Sequence, residues 1–183
     1  AAIVGIGRRN LVEIDVDARG RMRPEALRAA IEADLAAGYV PVMINATSGT
    51  TVLGTFDPLE PIAAIAREHG IWLHVDGAWG GYFRSMLHGL DLDSVDYGTN
   101  IDEHPRLQLS EYVSRQLEAF ALTDSITIDP HKSGFIPYPA GHLDALEHPR
   151  GIGRLPDRPG GANGSTPVGS IRNGGVSCGV HPF

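Results

Sequence analysis

The sequence predicts an α/β fold, a mostly parallel sheet with flanking helices. Two observations predict it. Runs at 40–44, 71–75 and 125–128 are apolar almost throughout, as strands covered on both faces are. A helix with its own start and stop signals separates the first two runs. A short parallel crossover of that kind is right-handed in nearly all cases.

The elements follow in chain order. Residues 11–16 alternate apolar and charged side chains and predict a short strand, and residues 17–20 predict a turn. Pro24 opens a helix with Leu27, Ile31 and Leu35 on one face and Gly38 just past its end. Residues 40–44 predict a buried strand with Pro41 near its start. Residues 45–55, rich in Thr, Ser and Gly, predict a loop. Asp57 predicts a helix cap, with Pro58 in the first turn, Glu60 completing a capping box and Gly70 ending the helix after His69. Pro61 lacks an N–H, so the start can also fall there. The next strand is 71–75. Residues 84–123 form a long excursion, acidic and loop-like over 91–104. A helix over 110–122 follows, with Val113, Leu117, Phe120 and Ala121 on one face. The strand 125–128 comes next.

Ligands of such sheets bind at the carboxyl ends of the strands. The run 71–75 ends on Asp76, and the run 125–128 ends on Asp129-Pro130-His131-Lys132. A lysine and an aspartate at two strand ends match the needs of pyridoxal phosphate. The amine forms a Schiff base with the aldehyde, and the carboxylate pairs with the pyridinium nitrogen. That pairing keeps the ring protonated as an electron sink.

Composition narrows the partners. The chain has 183 residues, 42% of them hydrophobic, enough for one globular domain. Fifteen Lys and Arg against 22 Asp and Glu give a net charge of −7, with no basic block, which argues against nucleic acid or an anionic membrane. No apolar stretch reaches the roughly 18 residues that span a bilayer. The single cysteine, Cys178, suits a reducing cytoplasm. No His or Cys stands at metal-ligand spacing, and His74, alternating with Asp76, reads as structural rather than as a zinc ligand. Residues 151–183 hold 9 Gly and 4 Pro in 33 positions, above the roughly 25–30% typical of low-complexity segments. They predict an irregular tail without a packed core.

Two segments carry a family resemblance: His74-Val-Asp-Gly-Ala-Trp-Gly-Gly81, and Asp124-Ser-Ile-Thr-Ile-Asp-Pro-His-Lys132. Together they resemble the group II pyridoxal-phosphate-dependent amino acid decarboxylases, of the aspartate-aminotransferase-like fold (fold type I). Ser133-Gly-Phe-Ile-Pro-Tyr-Pro-Ala-Gly141 extends the match and most resembles the bacterial tyrosine decarboxylase branch. The likeness covers roughly 3–141, so residues 1–142 are expected to be a portion of the cofactor-binding large domain, with 143–183 the tail.

The resemblance implies roles. Lys132 is the Schiff-base lysine, Asp76 holds the pyridine nitrogen, and Ala78 packs under the ring. His131 lies near the cofactor phosphate or the lysine, and Thr51 faces the cofactor. Asp129 stands where relatives often carry Asn and helps set the lysine's surroundings. The implied reaction is loss of carbon dioxide from an L-amino acid, aromatic such as tyrosine, to give the amine, in a homodimer with its sites at the interface. Glutamate decarboxylation, another fold type I activity, or a non-catalytic fragment are the alternatives. The family's phosphate-binding loop, ring-stacking histidine and mobile loop have no counterpart here. The change in composition past about Gly141 is read as truncation or a shifted frame.

Overall fold

The structure is a computed structural model that describes residues 3, 5, 7–87, 109–137 and 140–145. Its elements are helix α1 (Pro24–Ala36), strand β1 (Met43–Thr47), helix α2 (Leu59–His69), strand β2 (Trp72–Asp76), helix α3 (Glu111–Glu118), strand β3 (Ser125–Ile128) and strand β4 (His142–Ala145), with short 3-10 turns at Arg8–Asn10, Gly81–Leu87 and Ala119–Leu122. The sheet runs in the order β1, β2, β3, β4. β1 and β2 pair in parallel, Thr47 opposite Asp76; β2 and β3 pair in parallel, Asp76 opposite Thr127. β4 closes the sheet antiparallel to β3. The predicted α/β class with a mostly parallel sheet is what forms.

Alternation along the strands decides which face is dry. Ile44, Ala46, Leu73, Val75 and Ile126 point to one face and pack with Ile62, Ala63 and Ala66 of α2. Leu73 and Val75 are 1% and 0% exposed, and burying such side chains stabilises by roughly 1.5–3 kcal/mol each. Leu27 and Ile31 of α1 join this core.

The sequence misplaces several details, each for a physical reason. Residues 11–16 form no strand. Among the described residues, only Val16 bridges, to Met22, and Leu11, Val12 and Val16 are exposed. The strand expected at 40–44 begins three residues later. Trp72 N–H reaches only as far back as the Val42 carbonyl, and Val40 and Val42 are exposed. Leu35 and Ala121 are exposed rather than in the core.

Asp57 does not cap α2. Its carboxylate accepts from Met22 N–H at 2.6 Å and Thr47 N–H at 2.7 Å, tying the turn after residue 16 to the end of β1. Glu60 likewise makes no capping box but meets Arg115 at 2.8 Å. The first N–H of α2, that of Leu59, is taken by Gln116 of α3. Gly70 ends α2 as expected, in the left-handed conformation at φ 65°. Ser110 caps α3 by accepting from Val113 N–H, and the predicted helix tightens to 3-10 after Glu118. β4 extends the paired sheet through Ala145. The acidic loop 91–104 and the tail 151–183 lie outside the described residues.

Candidate active site

The site is built where β2 and β3 leave the sheet. Past Asp76 the chains stay stitched: Gly77 N–H donates to Thr127 O at 2.9 Å, and Asp129 N–H donates to Ala78 O at 3.3 Å. Ser133 Oγ–H donates to Trp79 O. Residues 76–80 and 129–133 therefore face each other at the carboxyl end of the sheet, where the parallel fold predicts a ligand.

Glycines allow this approach. A Cβ on Gly80 would run into the Ser48 backbone, 2.7 Å from its carbonyl carbon, and into Phe56 Cζ at 2.8 Å. One on Gly134 would lie 2.7 Å from both Pro130 O and Tyr82 Cζ. Tyr82 is thus a packing aromatic under the lysine turn.

Lys132 is the only lysine in the chain. Its turn closes by donation from Lys132 N–H to Asp129 O at 3.0 Å. Nζ lies 2.6 Å from Asp129 Oδ2 and 5.4 Å from the centre of the Trp79 ring. His131 Nδ1–H donates to Ala140 O, and Nε2 lies 3.9 Å from Asp129 Oδ2. Asp76 Oδ1 accepts from Ala78 N–H at 3.1 Å. Among the described residues its other oxygen, Oδ2, accepts no hydrogen bond.

Behind Asp76, on the same face of β2, His74 is bonded at both ring nitrogens. Nδ1 meets Ser125 Oγ at 2.8 Å, and Nε2 meets Thr127 Oγ1 at 3.1 Å. Trp72 Nε1–H donates to the same Ser125 Oγ at 2.9 Å. Burial pushes His74 down from its ordinary value, against the pull of the Asp76 carboxylate. This is the structural histidine the sequence suggests.

The structure brings Asp76, Ala78, Asp129, His131 and Lys132 to one end of the sheet. Thr51 stands apart. It is exposed on the loop 50–55, whose internal bond is made by Thr50 Oγ1 with Thr55 Oγ1 at 2.9 Å. Two features escape motif reading. Trp79 lies against Lys132, and the solitary lysine needed only a count of the sequence.

This donor set fits an aldehyde cofactor with a cationic ring nitrogen: one amine, one carboxylate with an oxygen to spare, and the small Ala78 bonded to that carboxylate through its N–H. The chain belongs to the pyridoxal-dependent decarboxylase family, whose conserved domain matches residues 1–99.

Human cysteine sulfinic acid decarboxylase is 42% identical over 126 residues, covering 68% of this chain and 25% of the relative. An acidic amino acid decarboxylase of Mus musculus is 47% identical over 102 residues, 52% of this chain and 18% of the relative. The crystal structure of mouse CSAD superposes with a TM-score of 0.61 at 34% identity, over 82% of this chain and 27% of that one. The chain thus spans about a quarter or less of the length of these curated relatives.

The relatives correct one expectation. They are named for cysteine sulfinic acid and acidic amino acids, so the similarity does not single out the bacterial tyrosine decarboxylase branch. The segment that suggested that branch includes the exposed Phe135 and Ile136, and exposed turn residues say little about a substrate pocket.

Proposed function

We propose that the protein to which this chain belongs decarboxylates an L-amino acid, releasing carbon dioxide and the amine. One observation carries the reading: the only lysine of the chain stands just past the end of β3, and at the end of the neighbouring strand β2 the Asp76 carboxylate has an oxygen that, among the described residues, accepts no hydrogen bond. Lys132 is the attachment point for the cofactor aldehyde. Asp76 Oδ2 receives the proton-bearing ring nitrogen, while Ala78 N–H fixes the carboxylate through Oδ1. Ala78 leaves room for a flat ring beside the strand end. His131 is aimed by its bond to Ala140 O and lines the same turn. Thr51 completes the contacts from the exposed loop. When bound, pyridoxal phosphate supplies the electron sink that makes loss of a carboxylate feasible.

The acidic class of substrate is favoured by relatives at 42–47% identity. An aromatic substrate is the second reading, carried by the segment 133–141. The working unit is a homodimer, and the single cysteine suits a cytoplasmic setting.

The test is to add pyridoxal phosphate, reduce with borohydride and map the product by mass spectrometry. Labelling at Lys132, far above the N-terminal amine and lost in Asp76→Ala, is expected. Equal labelling of both amines, or labelling indifferent to Asp76→Ala, overturns the assignment. Release of labelled carbon dioxide from cysteine sulfinate and aspartate, or instead from tyrosine, then decides the substrate class. Attachment without release from either class leaves a cofactor-holding fragment without turnover.

A further inference from the structure

The amine of Lys132 sits between two groups that favour positive charge. Asp129 Oδ2 at 2.6 Å attracts it by charge, and the Trp79 ring at 5.4 Å by its quadrupole. Both contacts restrain the nitrogen that must reach an aldehyde. The contact is not a chance meeting of two long surface side chains. Both residues belong to one turn, closed by the bond from Lys132 N–H to Asp129 O at 3.0 Å. The two side chains are 25% and 18% exposed, so salt and water screen the pair in part but do not abolish it. Asp129 is also ill suited to touch the cofactor phosphate, because a carboxylate repels an anionic phosphate.

We propose that Asp129 is a positioning residue that acts through Lys132: its carboxylate is the counter-ion that holds the amine in place on the turn. This deepens the function proposed above and rests on Lys132 being the attachment point. Asp129 thereby sets how readily the amine is released for reaction, while Asp76 serves the ring nitrogen. The two carboxylates of the site divide the work, one on the protein's nitrogen and one on the cofactor's.

The test needs no cofactor, because the chain carries only two amines, Lys132 and the N-terminus. The 183-residue chain is acetylated near neutral pH with N-hydroxysuccinimidyl acetate. Mass spectrometry reads the Lys132 rate against the N-terminal rate. Asp129→Asn is expected to raise that ratio roughly threefold to fivefold, the upper range for a partly exposed ion pair. Asp129→Glu is expected to restore the wild-type ratio. Molar salt is expected to raise the ratio in the wild type and leave the Asn variant unchanged.

Equal ratios in wild type and Asp129→Asn, insensitive to salt, overturn the proposal and leave the contact as turn packing. If the Asn variant does not fold, the salt response of the wild type decides alone, and a flat response overturns the proposal. Acetylation involves no aldehyde, so its outcome is separate from that of cofactor labelling.

Discussion

Gln116 Oε1 accepts the Leu59 N–H at 2.7 Å, so a side chain of α3 caps α2 across 57 residues of chain. The same amide turns its Nε2 back to Tyr112 O at 3.1 Å. Both sides of a buried amide are therefore used, and α2, which backs the strand carrying Asp76, starts where α3 allows it.

Gln116→Met keeps the side-chain volume and removes the acceptor. It is expected to destabilise by about 1–3 kcal/mol, the cost of leaving a buried N–H without a partner. Urea denaturation reads this as a lower midpoint at unchanged slope.

Asp57→Ala is expected to cost more, about 2–4 kcal/mol, because two backbone N–H groups lose their acceptor together. The pH dependence has a definite sign. Burial raises Asp57 above its ordinary value, so between those two values the folded chain binds more protons than the unfolded one. The contribution of Asp57 to stability is full below its ordinary value near 3.8 and declines as pH rises through the raised one. Wild type minus Asp57→Asn stability, measured against pH, should fall in that window.

His74 runs the other way. Its folded value is lowered by burial, so the unfolded chain takes up the proton first and acid weakens the fold. The stability difference between wild type and His74→Gln should shrink as pH drops through about 6.5, the ordinary histidine value. A difference that is flat with pH would show that the ring is not held neutral by its site.

Gly80→Ala puts a methyl against the backbone of Ser48 and against Phe56 Cζ. Backbone cannot step aside as a flexible side chain does, so a loss of roughly 1–3 kcal/mol is expected. Because Gly80 follows Ala78 and Trp79 in the same turn, the variant should also lose cofactor labelling at Lys132. Thermal melts alongside borohydride labelling check both.

The parts of the site nearest the sheet were the most legible in the sequence. Asp76 and Lys132 were placed because continuous apolar runs mark buried strands, and the ends of parallel strands are where ligands bind. The start of β1 was not legible, since Val40 and Val42 look like core residues until β2 sets where pairing begins. The cap of α2 was unreadable for the same kind of reason: Asp57 sits at the right spacing to cap, but its carboxylate is claimed by Met22 and Thr47, and the replacement comes from Gln116. Local spacing predicts local bonds, and here bonds between distant segments took precedence. The contact of Trp79 with Lys132 likewise depends on how two turns face each other, which neither motif states alone.

The pair of hydrogen bonds to Asp57 couples two distant segments in motion. The Met22 and Thr47 amides share one carboxylate, so neither gains lasting access to solvent while Asp57 stays seated between them. In deuterium oxide the two amides, 25 residues apart, should exchange with matched rates, because a single opening event uncovers both. The turn after residue 16 and the strand bearing Thr47 then breathe as one unit, and the loop that carries Thr51 is hinged to that unit rather than free of it.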